Sequence, residues 1–380
     1  MSDDRARRTA AYRAATKVLS AADPTLAGGL AALAAAAETV RGPDGIDLTA
    51  SVDTYGDGVV GELERRVAAL LGLPAAVFFP TGTMAQQVAL RCWAGRTGNP
   101  LVALHPLAHS ELHERESLTT VAGLRTVHTT GAARLPTPEE VRAVEEPFGT
   151  LMLELPLREA GFVLPTWDEL VATVEAARER QAKVHIDGAR LWECTTHLGH
   201  DLPQIAALAD SVYVSLYKSL GGLSGAVLAG PREFVDEARA WRHRYGGRLY
   251  QQFPQVLSAL VGLERELPRL PSYVEQARMV VEVVRAELAS AVPWFRVVPE
   301  VAHTHQFAVW LPYDADVLRD AGVVQAEKTG VSLFRGWWSP GPAGPPGVAK
   351  TEVTVGAEGL EWTREDVAEA VRGFVRLLPP

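Results

Sequence analysis

From residue 60 to about residue 230 one pattern repeats: a short, mainly apolar run, then a turn, then in several places a helical stretch before the next run. The apolar runs are Val77-Phe78-Phe79, Leu101–Leu104, Leu124–His128, Leu151–Leu153, Val184–Ile186, Ser211–Ser215 and Ala226–Ala229. Glu62–Leu71, Thr83–Trp93 and Trp167–Gln181 carry apolar residues at helical spacing. A strand with one wet face alternates apolar and polar residues, so strands apolar throughout need cover on both faces. Interleaved with helices, they specify a mostly parallel sheet sandwiched between helical layers.

The pattern changes on either side. Residues 4–41 read as Ala-rich helices broken at Asp23-Pro24 and at Gly28-Gly29. Past residue 256 come the long helix Glu275–Ser290, with Pro268, Pro271 and Pro293 at the breaks, and a strand near Phe307–Leu311. The Gly/Pro-rich segment Ser339–Gly347, a strand at Glu352–Val355 and a last helix at Arg364–Leu377 follow. The expected organisation is an N-terminal helical segment (1–45), a large α/β domain (46–255) and a smaller α+β C-terminal domain (256–380). We find no internal repeat.

Composition removes several functions. With 380 residues, 47% of them hydrophobic, the chain can bury a large core. The net charge of −9 argues against nucleic acid as the main partner. Arg5, Arg7 and Arg8 form a small basic cluster that reads as a solvated helix end. Cys92 and Cys194 stand far apart, which supports neither a disulfide framework nor a thiolate zinc site. The charged start lacks a signal-like apolar core, and the run Ala31–Ala37 is too short to span a membrane. The expectation is a soluble, cytoplasmic protein.

Four segments carry chemistry. Pro80-Thr81-Gly82-Thr83 follows an apolar strand and opens a helix, so free N–H groups and the helix dipole can meet a phosphate. The bland alternative is an ordinary turn with a threonine N-cap. His185-Ile186-Asp187-Gly188-Ala189-Arg190 closes a buried strand, where ligands of open α/β sheets bind. Asp187 there can hold a pyridinium N–H and Arg190 a carboxylate, or the two can be a capping residue and a surface arginine. Ser211–Ser215 delivers Lys218 to a strand end before Gly221-Gly222; partial burial would lower its amine pKa and let it form a Schiff base. His105, His109 and His113 stand four apart and could ligate a metal, but Pro106 breaks the helix between the first two. Stacking of one imidazole, His109, on a planar cofactor is the better use.

In this order the segments resemble the threonine aldolase / β-eliminating lyase family of fold-type-I pyridoxal-phosphate enzymes. The resemblance runs from about Asp53 to Gln251 and weakly beyond. It rests on Asp53-Thr54-Tyr55-Gly56-Asp57, Phe79–Ala85, Ala108-His109, His185–Trp192, Tyr217–Gly221 and Trp241-Arg242. It implies an aspartate-aminotransferase-like fold with pyridoxal 5'-phosphate as cofactor. Lys218 would carry the cofactor and Asp187 pair with its ring nitrogen; Gly82 and Thr83 would hold the phosphate and His109 stack on the ring. Arg190 would bind the substrate carboxylate. Tyr55 and Arg242 would lie near the neighbouring subunit's site, Arg242 reaching a phosphate across the interface of a homodimer or homotetramer.

Two departures touch the substrate side. The histidine that the family carries after its Leu-Glu is replaced by Leu157, in Leu153-Glu154-Leu155-Pro156-Leu157-Arg158. The late arginine that grips the carboxylate falls at Lys350 or is lost, with Arg335 as another candidate. The resulting expectation is retro-aldol cleavage of a small β-hydroxy-α-amino acid to glycine and an aldehyde, with Lys218, His109 and Asp187 catalytic. Alternatives are β-elimination, racemisation or glycyl transfer on the same cofactor. A metal-dependent hydrolase built on His105–His113 and a cofactor-binding protein without turnover come behind them.

Overall fold

The computed structural model describes residues 2–21, 24–40, 46–339 and 347–379. Asp23 of the expected break, and most of the Gly/Pro-rich segment after Ser339, lie outside them. The chain forms two compact units, Met1–Leu26 with Arg269–Pro380, and Ala27–Pro268. Helix α1 (Ser2–Ala14) belongs to the first of these.

The second unit takes in all but the first residue of α2 (Leu26–Ala37) and then α3 (Val59–Leu71). Gly28 and Gly29 do not break α2, contrary to the expectation; each glycine costs about 1 kcal/mol in a helix, and the alanines and leucines around them carry it through. Next come β1 (Ala75–Phe79), α4 (Gly82–Thr97), β2 (Leu101–Leu104), β3 (Arg125–His128), β4 (Thr150–Glu154) and α5 (Trp167–Glu179). After α5 the chain adds β5 (Lys183–Gly188), β6 (Ser211–Ser215), β7 (Ala226–Gly230), α6 (Arg232–Arg244) and α7 (Phe253–Arg265).

Among the described residues the strands form one seven-stranded sheet in the order β1-β7-β6-β5-β4-β2-β3. Pairs β6–β5, β5–β4, β4–β2 and β2–β3 are parallel, whereas β7 runs antiparallel to both neighbours. A parallel return needs a crossover of a dozen or more residues, usually a helix. Between Ser215 and Ala226 the chain has neither, so β7 turns back. Since β7 is reversed on both sides, β1 points the same way as β6. The C-terminal ends of β1, β4, β5 and β6 therefore share one edge of the sheet. The central strands are buried along their length except at Lys183, which opens β5, while edge strand β3 exposes Arg125 and His128.

The first unit adds α8 (Leu270–Ala291), β8 (Arg296–Val298), β9 (Gln306–Leu311), α9 (Ala315–Thr329), β10 (Ala349–Thr354) and α10 (Arg364–Val375). Strands β10-β9-β8 form an antiparallel sheet. Val280, Val284, Phe307, Val309, Leu318 and Phe374 fill its core. Lys17-Val18 pairs in parallel with Val331-Ser332, and α1 packs Ala11 against Val323 and Ala326 of α9. Among the described residues no helix is long and apolar enough to cross a membrane.

Candidate active site

A cavity of about 270 Å³ opens at the shared strand edge of the second unit. Each strand end contributes to it for a local reason. After β1, Thr81 adopts extended backbone and its Oγ1 accepts the N–H of Met84 at 3.2 Å, which starts α4. The threonine is thus an N-cap, and Gly82 and Thr83 offer the first-turn N–H groups that a helix leaves without an internal partner. Only glycine fits at position 82: a Cβ there would lie 2.9 Å from Tyr213 Cζ and nearer still to its Oη.

In the parallel ladder Glu154 of β4 stands opposite Asp187 of β5, and Asp187 opposite Tyr213 of β6. Asp187 is buried, and its Oδ1 accepts the Ala189 N–H at 3.1 Å. Burial raises its pKa, with the charges of Lys218 and His109 pulling the other way. Glu154 accepts the N–H of His109 at 2.7 Å and of Arg158 at 3.2 Å. Burial, and then the neighbouring charge of Asp187, push its carboxyl up to about 7.

Lys218 lies in the turn from β6 to β7. Burial, and then the Arg190 guanidinium, lower its amine to about 8, against the opposing pull of Asp187 and Glu154. Two contacts tie its loop to the one after β5. Trp192 Nε1 donates to Ser215 O at 2.9 Å, and Ser219 Oγ donates to the Glu193 carboxylate.

Arg190 lies 5.2 Å above the Phe162 ring, and its buried Nε has no hydrogen-bond partner among the described residues. The tight hairpin that closes Leu157 onto Val163 presents this ring. His109 Nδ1 is 3.4 Å from Glu114 Oε1, and its ring is 5.2 Å from that of His113. His113 itself meets Glu159 at 2.9 Å, and His105 meets the Ala132 carbonyl at 2.8 Å.

Gly82, Thr83, His109, Asp187, Arg190 and Lys218 thus line one cavity. Tyr55 does not: it is exposed, edge-on to Tyr250 at 5.4 Å, with Arg248 over its ring. Arg242 is buried in its own chain, donating to Phe78 O at 2.6 Å and lying 3.7 Å from Glu64. Lys350 belongs to the other unit, on β10, with its Nζ 3.6 Å from Glu352 and over the Trp310 ring. Sequence reasoning gave no role to Glu154, Tyr213 or Gln86, which also line the cavity. Glu154 carried a signal, as the acidic last residue of a buried strand. Gln86 and Tyr213 carried none, because helix rotation and strand register bring them to the site.

The sequence model of the beta-eliminating lyase family matches residues 48–307. The chain belongs to the beta-eliminating lyase family. Among curated members, the low specificity L-threonine aldolase of Escherichia coli K12 is 30% identical over 244 residues, which span 61% of this chain and 71% of that one. The solved structure of a "putative L-allo-threonine aldolase" from Listeria monocytogenes EGD-E superposes with a TM-score of 0.87 at 34% identity, covering 98% of this chain and 99% of that one. Serine palmitoyltransferase from Sphingomonas wittichii, at 16% identity and a TM-score of 0.63, shares the fold. This beta-eliminating lyase therefore has the fold-type-I architecture, with an α/β sheet unit and a smaller α+β unit.

Proposed function

We propose that this beta-eliminating lyase uses pyridoxal 5'-phosphate to cleave a small β-hydroxy-α-amino acid into glycine and an aldehyde. The observation that carries the reading is the shared cavity, in which a lysine amine lowered to about 8 and a buried aspartate accompany an open helix N-terminus. The residues fit the cofactor. The Gly82–Thr83 N–H groups suit a phosphate beside a position where any side chain would collide with Tyr213. Asp187 suits a protonated ring nitrogen, His109 suits a ring face, and Lys218 suits the cofactor aldehyde. Bound there, pyridoxal phosphate supplies an electron sink for negative charge at the substrate's Cα.

The chain's own groups do the rest. With its pKa near 8, Lys218 holds an appreciable fraction of neutral, nucleophilic amine close to physiological pH. Burial raises the Asp187 carboxyl, and the charges of Lys218 and His109 oppose that rise. Arg190, braced on Phe162, offers its guanidinium to the substrate carboxylate. Leu157 is buried and has no proton to move, so proton transfer from the β-hydroxyl passes to His109, whose Nδ1 side faces Glu114. The exposed pair Tyr55–Tyr250 is where we place the second subunit of a homodimer or homotetramer. The aldolases among its relatives favour retro-aldol cleavage over the other reactions this cofactor supports.

Purified protein is expected to be yellow and to release glycine from threonine or allo-threonine. Lys218→Ala is expected to lose both the colour and borohydride-fixable cofactor. A colourless wild-type protein that binds no pyridoxal phosphate would overturn the assignment.

A further inference from the structure

We propose that the smaller unit carries a second binding site, for a small organic phosphate bearing a planar ring. The Arg5–Arg8 cluster, which read as a solvated helix end, does not stand alone. Arg5, Arg8 and Arg13 of α1 line a cavity of about 480 Å³ together with Arg319 of α9 and Arg335. Among the described residues no carboxylate lines it. That concentration of positive charge runs against a chain whose net charge is −9. A concave surface of one sign focuses its field on a counter-ion.

The five arginines are not equivalent. Arg335 donates to the carbonyls of Ser20 and Ala21, which fix its position. Arg319 is offset by Asp316. Arg5 and Arg8 hold no ion pair among the described residues. By contrast Arg7, on the same helix, forms a bidentate pair with Glu327 at 2.7 and 2.8 Å. Burial raises the Tyr12 phenol, Arg8 and then Arg335 oppose it and Asp320 adds to it, so both guanidiniums act on this one lining side chain. Guanidinium forks from two segments of the chain match the oxygens of a phosphate.

The remaining wall is aromatic. Trp337 is buried and its indole N–H has no partner among the described residues, while Trp338 is 43% exposed. A half-exposed indole beside a cationic pocket offers a stacking face to a planar ring, as in single-stranded nucleotide binders. The arginines supply affinity for phosphate and Trp338 selects the ring.

The test is calorimetric titration of the full chain, loaded with pyridoxal phosphate and freed of excess, with inorganic phosphate, ribose 5-phosphate and adenosine monophosphate. The expected result is one saturable site per chain for adenosine monophosphate, at least tenfold tighter than for inorganic phosphate. Arg8→Gln should weaken it at least tenfold and the Arg5→Gln/Arg8→Gln double variant should abolish it, with Arg7→Gln as an unchanged control. Trp338→Ala should reduce adenosine monophosphate to the affinity of ribose 5-phosphate. Unchanged circular dichroism and melting temperature will show that each variant folds. No saturable binding, or equal binding by the double variant, overturns the site; ribose 5-phosphate binding as tightly as the nucleotide overturns the ring preference.

Discussion

Lys218 should make the folded protein more stable as the solution becomes alkaline, and Lys218→Met should remove that dependence. In the unfolded chain the amine titrates at its ordinary 10.5, and in the folded protein near 8. Below pH 8 both states carry the proton, and the folded state bears the whole cost of holding a cation in the cavity. Between pH 8 and 10.5 the unfolded chain keeps the proton and the folded one does not. Stability therefore rises by about 1.4 kcal/mol per pH unit, to a ceiling of about 3 kcal/mol. Above 10.5 the effect is complete. Removing the cation also moves Asp187 and Glu154, so the quantity to read is the slope between pH 8.5 and 10.5, not the absolute difference at one pH. The assay is urea unfolding of cofactor-stripped wild type and Lys218→Met at half-unit steps across that range. Arg190→Gln should shift the onset of the wild-type slope upward, because its charge is the second largest cause of the lowering. Parallel curves for wild type and Lys218→Met would mean that the amine titrates normally, and the argument that burial prepares it for chemistry would be wrong.

Asp187→Asn, which keeps the shape and removes the charge, should lower kcat/KM by about ten- to a hundredfold, the worth of one hydrogen bond to a charged group; steady-state glycine release checks this. Gly82→Ala should cost about 1–3 kcal/mol by overpacking against Tyr213, and Tyr213→Phe should recover part of it in a thermal melt. Burial lowers His185 from 6.5 to about 3. Below pH 6.5 the unfolded chain takes up a proton that the folded one refuses, so stability falls by about 1.4 kcal/mol per pH unit on acidification. His185→Gln should flatten that part of the urea-unfolding profile between pH 6.5 and 4.

Where burial is complete, the sequence states the structure almost residue by residue. The runs Leu101–Leu104 and Ser211–Ser215 are strands with those bounds, and every residue of both is buried. Sequence is less informative where one interaction outweighs another. Gly28-Gly29 signals a stop, but the helix-forming residues around it prevail. The reversal of β7 follows from the short turn holding Lys218, which leaves no room for a crossover helix. The cavity-lining residues at strand ends and at the α4 cap were legible, since those positions are fixed by local geometry. Phe162, which supports Arg190, was not: it is buried with φ at +63°, in a hairpin whose sequence Arg158-Glu159-Ala160-Gly161 gives only one glycine as a hint. Arg242, singled out by its motif, is buried and donates to the Phe78 carbonyl, a direction the motif does not record, because a motif gives neighbours in sequence and not where a side chain points.

The segment His185-Ile186-Asp187 shows how the fold couples core and site through alternation along one strand. Asp187 reaches the cavity end of the sheet, and His185, two residues earlier, points to the same face one layer below. There Ser211 Oγ accepts the Trp93 indole N–H at 2.7 Å, so its own proton goes to His185 Nδ1 at 2.8 Å. That fixes the neutral tautomer and leaves Nε2–H to donate to Gln86 Oε1 at 2.7 Å. The row is fully directional and contains no charge, which suits burial at this depth. It ends on a glutamine one turn into α4, so the helix whose N-terminus we assign to the phosphate is tied to the strand that carries the aspartate. Gln86 Nε2 is left without a partner among the described residues, and a buried donor in that state costs about 1–3 kcal/mol. The orientation of α4 is thus held by a network that accepts one unsatisfied amide in return. Such a trade is expected where rigidity at a binding site matters more than the last increment of stability.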